Sequence, residues 1–199
     1  MDRPLLSILI CHLPERRELL NRLLRVLIEG HHSYDMKQVT TYDLVHRGFE
    51  ITINPWSRAE ATTGQKRNHM VQGAAGDFIC FIDDDDLVAD NYVAKILETI
   101  KRKPTNDCIG LVGQISWQGE KRVNPKKFIH SIEVNEWHEK DDVYYRTPNH
   151  LNPIAARHAK AVEFPDITVG EDHIWSDAIR PLLKHEIMIE DTLYYYECR

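Results

Sequence analysis

Four consecutive carboxylates, Asp83-Asp84-Asp85-Asp86, follow directly on the apolar run Phe78-Ile79-Cys80-Phe81-Ile82. That run is β-branched and aromatic, without Pro or Gly, and suits a strand buried on both faces. A buried strand cannot carry four adjacent charges. They must sit at its carboxyl end, which in an open α/β sheet is the edge where ligands bind. Like charges in a row repel one another, so a cation is expected among them. Clustered hard oxygens suit Mg²⁺ or Mn²⁺, ions that commonly arrive bridging a phosphate. The pattern predicts a metal–diphosphate site. A solvated acidic turn that caps the next helix is the plainer alternative.

Other residues extend this chemistry. Lys66 and Arg67 lie shortly before the acidic run, where a cation would offset diphosphate charge that the metal leaves uncovered. Arg16 and Arg17 fall in the first turn of a helix, and either can reach a phosphate. The preceding loop, His12-Leu13, is a strand-to-helix turn of the kind that holds nucleotides. Trp56, in the breaker Asn54-Pro55-Trp56-Ser57, can stack on a nucleobase or cap the core. Glu171 and Asp172 follow Gly170 at the start of another helix, where the macrodipole favours carboxylates and keeps them ionised. An ionised Asp beside a substrate hydroxyl is what a general base requires. A plain helix-capping pair fits the same two residues.

These residues need elements to carry them. Leu5 to Cys11 reads as a strand, and Pro14 opens a helix that Gly30 closes. Phe49 to Ile53 alternates as a second strand, and Ala59 to Ala75 reads as a helix carrying Lys66, Arg67 and Asn68. After the carboxylates, Asp90 or Asn91 caps a helix through Ile100, which ends at Lys101-Arg102-Lys103 and Pro104. Cys108 to Ile115 is a further strand. Gln118 to Asp142, with Lys121, Arg122, Lys126 and Lys127, reads as an exposed hairpin or loop. Val143 to Tyr145 and His150 to Ile154 are short apolar pieces, and Ala155 to Val162 a short helix. Ile174, Trp175, Ala178, Ile179 and Leu182 recur at helical spacing after Glu171. Ile187 to Ile189 is the last strand, and Tyr194-Tyr195-Tyr196 an aromatic tail across the sheet. Alternating strands and helices predict an α/β fold.

The chain has 199 residues, which fits one domain with a sizeable core. Residues 1–103 are expected to form one part of this domain and 104–199 the other. Charged residues at 28% and hydrophobic ones at 42% are ordinary for a globular protein. The net charge of -6 argues against a general nucleic-acid binder. Cys11, Cys80, Cys108 and Cys198 show no CxxC spacing and read as reduced residues of a cytoplasmic protein. The N-terminal apolar run reads as a strand rather than a signal peptide, and no run reaches the length of a membrane span.

The chain resembles the nucleotide-diphospho-sugar glycosyltransferases of the GT-A fold, family 2 in particular. Arg67-Asn68, Ala75-Gly76-Asp77 and Asp83-Asp84-Asp85-Asp86 stand in the family's order and at about its spacing. Gly170-Glu171-Asp172, followed by Trp175 and Arg180, is similar to its Glu-Asp signature, while Leu5 to Ile28 matches in pattern. The resemblance implies a Rossmann-like, open, mostly parallel twisted sheet flanked by helices. It implies that Asp83, with Asp84 beside it, contacts the donor nucleoside and that Asp85 ligates Mn²⁺ or Mg²⁺. Asp172 would deprotonate an acceptor hydroxyl for inverting transfer, Glu171 would support the helix start, and His173 is a further candidate ligand to metal or phosphate. Two places depart from the family's pattern: Cys11-His12-Leu13-Pro14 replaces Pro-Thr-x-Asn, and Asn54-Pro55-Trp56 replaces an Asp at the end of the second strand. A UDP-sugar donor is therefore an expectation, and a glycan, a protein or a modified nucleic-acid base remains open as acceptor. A nucleotidyltransferase that forms sugar nucleotides, and an inactive sugar-nucleotide-binding module, are the competing classes.

Overall fold

The computed structural model describes residues 3–28, 40–117 and 125–198. In chain order the elements are β1 (Leu6–Cys11), α1 (Arg17–Leu27), β2 (Thr40–Leu44), β3 (Phe49–Asn54), α2 (Thr63–Gly73), β4 (Phe78–Phe81), β5 (Leu87–Val88) and α3 (Tyr92–Arg102). There follow β6 (Cys108–Trp117), β7 (Lys126–His130), β8 (His138–Lys140), β9 (Val143–Arg146), β10 (Ile154–Ala155), α4 (Ala156–Ala159), α5 (Glu171–Ile179) and β11 (Glu186–Cys198).

The sheet runs β2-β3-β1-β4-β10-β6-β7-β9-β8, with β11 against β6 and β5. Its heart is parallel. β1 pairs with β3 from Leu6↔Phe49 to Cys11↔Asn54, and with β4 from Leu6↔Phe78 to Leu9↔Phe81. The long β6–β11 ladder is parallel too, while β2, β5, β7, β8 and β10 bring in antiparallel pairs. After β1 the chain moves out to β3 on one side and returns to β4 on the other. The carboxyl ends of β1 and β4 therefore diverge at a switch point, where open α/β sheets leave a crevice for ligands.

Period-two alternation sorts the core into two layers. Leu6, Ile8, Ile10, Phe78 and Cys80 face α1 and α3, burying Leu20, Leu24, Tyr92 and Ile96. Leu9, Ile79 and Phe81 face α2 and α5, burying Met70, Val71, Trp175 and Ile179.

Several elements differ from the sequence reading. α2 starts at Thr63 because Thr62 and Gln65 form a reciprocal capping box, and the Ser57 N–H is turned onto Glu60. α4 spans only Ala156–Ala159. Of the hairpin or loop expected around Lys126 and Lys127, the hairpin holds: both lie in β7, antiparallel to β6 and parallel to β9. Gly30, Lys121 and Arg122 lie outside the described residues. The tyrosine tail is not separate from the last strand: β11 is 13 residues long and contains Ile187 to Ile189 and Tyr194 to Tyr196 alike.

The piece read as apolar at His150 to Ile154 is a buried polar turn. Asn152 Oδ1 accepts from the Asn149 N–H (3.1 Å) and meets His130 Nδ1 (3.1 Å), while Asn152 Nδ2 donates to the Ile109 carbonyl (3.0 Å). Burial pushes the His130 imidazole down to about 3. Its folded value lies below the unfolded one, so its stabilising contribution is complete above about pH 6.5 and is lost as pH falls toward about 3. By pH 5 the unfolded chain binds a proton that the fold excludes, which costs on the order of 2 kcal/mol. His130→Gln keeps a donor for Asn152 and is expected to flatten this acid limb in urea titrations between pH 7 and pH 5. An unchanged slope would place the acid sensitivity elsewhere.

One glycine joins the two halves of the chain. A Cβ on Gly64 would lie 1.8 Å from the Pro165 carbonyl oxygen, and the Gly64 N–H donates to the Ile167 carbonyl (3.0 Å). Both obstacles are backbone and cannot swing aside. Gly64→Ala is expected to cost about 1–3 kcal/mol, the scale of overpacking a tight contact. Chemical denaturation reads this directly, and a cost near zero would show that the 165–167 segment yields.

Candidate active site

The acidic run emerges at the crevice between β1 and β4 as a turn, in which the Asp86 N–H donates to the Asp83 carbonyl (3.1 Å). Asp84 is 1% exposed. Its Oδ2 accepts from the Leu13 N–H (2.8 Å) and lies 2.8 Å from His12 Nδ1, while Oδ1 accepts from Arg16 (3.0 Å). Asp84 thus staples the β1–α1 loop to the end of β4. This corrects the expectation that His12 faces the donor: it is fully buried behind Asp84, whereas Asp84 itself also borders the cavity. Asp86 is buried as well, accepting from Tyr194 Oη (2.8 Å) and the Glu197 N–H (2.8 Å). Burial, with Asp83 beside it, pushes the Asp86 carboxyl up to about 8. Tyr194 Oη also accepts from the Asp83 N–H (3.2 Å), so β11 braces the back of the acidic turn. Asp84 and Asp86 thus have internal partners, but burial and repulsion from Asp83 still raise the Asp85 and Asp86 carboxyls.

Asp83, Asp84 and Asp85 line a cavity of about 240 Å³. Its cationic wall comes from Arg16, Arg58, Lys66 and Arg67. Arg58 had no place in the sequence reading; its side chain reaches the cavity from the turn before α2. Arg16 lies 2.9 Å from Asp85. Lys66 forms no ion pair among the described residues, and its burial lowers its pKa. Arg67 is buried over the Phe81 and Phe164 rings, at 5.0 and 5.6 Å, and its Nη2 reaches Asp83 (3.3 Å) and Glu171 (3.4 Å). Its Nε and Nη1 have no hydrogen-bond partner among the described residues. Burial opposes charge on Asp83, but His150 and Arg67 hold its carboxyl below the usual carboxylate range. Burial raises that of Asp85 despite Arg16. A larger cavity of about 710 Å³ lies over Ile129, Tyr145 and Met188, where no comparable set of opposed charges converges.

The second half of the chain closes the site. Asn68 brackets Phe164, donating to its carbonyl (2.9 Å) and accepting from its N–H (2.8 Å). The bracket brings the 165–170 segment over α2. Gly170, with φ +83°, turns it into α5 in the left-handed region where a side chain is strained. Glu171 is buried against Arg67, and burial raises its carboxyl in spite of that cation. The macrodipole does not keep Glu171 at an ordinary value, and its work is to hold Arg67 as much as to start the helix. Asp172 is more open, its side chain 27% exposed, with Oδ2 3.7 Å from His150 Nδ1. His150 was not singled out in the sequence, where it sits in a run that reads as apolar.

Two expected residues fall elsewhere. Trp56 packs on His69 with ring centroids 4.8 Å apart and is absent from the cavity lining. His173 stacks on Trp137 (4.4 Å) and lies 3.7 Å from Asp177, so it is turned away from the acidic run. Among the described residues no three His, Cys, Asp or Glu side chains converge as a metal cage. The donor set nevertheless fits a hard cation brought in on a diphosphate, because Mg²⁺ sites commonly use one or two carboxylates plus substrate oxygens. Cys11 also lines the cavity, but burial pushes its thiol up to about 12, which leaves it inert.

An α/β sheet with opposed acidic and cationic walls at its switch point, and Glu171 contributed from a helix start across the cavity, has the architecture of an open-sheet ligand site. Residues 47–167 match the model of glycosyl transferase family 2, and the chain belongs to that family of glycosyltransferases. S. aureus TarS 1–349 superposes with a TM-score of 0.61 at 14% identity, covering 96% of this chain and 60% of that one. The same fragment in complex with UDP-GlcNAc gives 0.61 at 12%, covering 98% and 58%, and in complex with UDP 0.61 at 13%, covering 96% and 60%. This likeness establishes the GT-A fold, and the chain spans about 60% of the length of those fragments. No curated protein sequence matches the chain. Among the described residues no helix is long and apolar enough to cross a membrane.

Proposed function

We propose that this chain moves a sugar from a nucleoside-diphosphate donor to an acceptor hydroxyl, with inversion at the anomeric carbon and with Mn²⁺ or Mg²⁺ on the diphosphate. The observation that carries the reading is the cavity where Arg16, Arg58, Lys66 and Arg67 face Asp83 and Asp85 at the carboxyl ends of β1 and β4. The Arg67 guanidinium in the cavity wall suits phosphate oxygens. Binding of UDP-GlcNAc and UDP in the TarS structures favours a UDP-sugar.

In this reading residues 1–103 carry most donor contacts and 104–199 the acceptor side. Asp85 would hold the ion, and Asp83 the nucleoside. When bound, the ion supplies charge neutralisation for the departing diphosphate. Asp172 takes the proton of the acceptor hydroxyl. The acceptor oxygen forms its bond to the anomeric carbon as the bond from that carbon to the diphosphate oxygen breaks on the opposite face. Lys66, Arg67 and Arg16 stabilise the charge that develops on the leaving group. The test is incubation of the protein with a panel of sugar nucleotides and Mn²⁺. Release of nucleoside diphosphate with free sugar, water acting as acceptor, supports the reading. Pyrophosphate exchange would make the protein a nucleotidyltransferase, and tight binding without turnover an inactive module.

A further inference from the structure

His150 stands between two carboxylates that the proposed reaction assigns to different substrates. Its Nε2 lies 3.5 Å from Asp83 Oδ2 and its Nδ1 3.7 Å from Asp172 Oδ2. The ring is 5% exposed and meets Phe81 edge-on at 6.2 Å. Neither nitrogen has a hydrogen-bond partner among the described residues. The backbone beneath it is fixed: the His150 carbonyl accepts from the Phe81 N–H (2.8 Å), and the Asn149–Asn152 turn holds the following residues.

A histidine that only fills the core finds a partner, as His130 does in Asn152. His150 instead aims both nitrogens at carboxylates that lie just beyond hydrogen-bond length. A movement well under 1 Å by either carboxylate would complete a bond. Arg67 approaches Asp83 as well, at 3.3 Å, so Asp83 has little freedom to leave the ring. The two nitrogens lie on different edges of one rigid plane, so the position of one carboxylate constrains the other.

We propose that His150 is a positioning residue that ties the donor-side Asp83 to the acceptor-side Asp172 and holds the Asp172 carboxylate toward the acceptor. The assignment of the two carboxylates rests on the function proposed above. The link itself is tested without turnover, by the ring ¹⁵N resonances of His150, identified by their loss in His150→Gln. Both Asp83→Asn and Asp172→Asn are expected to shift them. A shift in only one variant, or in neither, overturns the link. Turnover then tests the role, read as hydrolysis of whichever sugar nucleotide the wild type accepts. His150→Ala is expected to lower kcat roughly 10- to 100-fold, the scale for losing a partner that orients a reacting group, with donor KM unchanged. His150→Gln, which keeps one donor, is expected to recover part of the loss. Equal damage in both variants, in step with their melting temperatures, would make His150 a purely structural residue. A wild type that hydrolyses no donor would defeat the proposed function while the ¹⁵N shifts still decide the link.

Discussion

Asp85→Asn is expected to cut donor turnover by roughly a hundred- to a thousandfold, the scale for losing one element of charge stabilisation at a leaving group. Of the four carboxylates in the run, Asp83, Asp84 and Asp85 border the cavity, but Asp84 is 1% exposed and bonded to the Leu13 N–H, and Asp86 is bonded to Tyr194. Asp83 is held between Arg67 and His150 while Asp85 pairs with Arg16, and Asp85 is the residue proposed to meet a cation on the diphosphate. The fold should tolerate the change. Burial and the neighbouring Asp83 and Asp84 charges make an ionised Asp85 costly without metal, and Arg16 keeps Asp84 as a partner. The melting temperature of the metal-free variant should equal or exceed that of the wild type. Mn²⁺ together with UDP should raise the melting temperature of the wild type by mass action and leave the variant unmoved. Wild-type turnover in excess EDTA that matches turnover in Mn²⁺ would overturn the metal's role.

The same run illustrates what was legible in the sequence. A strand that ends in carboxylates fixed the edge of the sheet where the site lies, because apolar burial and adjacent charge cannot coexist. The directions of the four carboxylates were not legible, because the run forms a turn rather than a strand and its exposure depended on partners distant in sequence. His12 and Leu13 capture Asp84, and Tyr194 captures Asp86. Pairings of that kind leave no local pattern. His173 shows the same limit. It neighbours Asp172 in sequence, but an adjacent helical position points elsewhere, and Trp137 offers it a flat ring. His150 was hidden by the apolar residues that follow it, and only the Asn149–Asn152 turn explains why a polar ring can be buried there. The Arg67-Asn68 pair, by contrast, was visible as a pair, and its two members do different work. Arg67 faces Asp83 and Glu171, whereas Asn68 brackets Phe164.

Asp172→Asn is expected to lower turnover by roughly a hundredfold or more, the usual scale for a lost general base, while donor affinity stays unchanged. The case turns on its neighbour. Glu171 and Asp172 both begin α5, but Glu171 is buried on Arg67, whereas the Asp172 side chain is 27% exposed and approaches only His150 among the described ion-pair partners. A base must reach a substrate proton, and a carboxylate engaged by a buried guanidinium is poorly placed to do so. Glu171→Gln should therefore act differently. It releases Arg67 from one of its two carboxylates, so its main effect should fall on donor binding, where Arg67 is proposed to meet the diphosphate. Asparagine at 172 is isosteric and keeps the helix start, so a fall in rate there reads the missing proton acceptor. Calorimetry with UDP and Mn²⁺, set beside hydrolysis rates for each variant, separates the two carboxylates. Normal turnover in Asp172→Asn with loss in Glu171→Gln would exchange the assignments. A collapse of UDP affinity in Asp172→Asn would move this residue into the nucleotide site and leave the base to be found elsewhere.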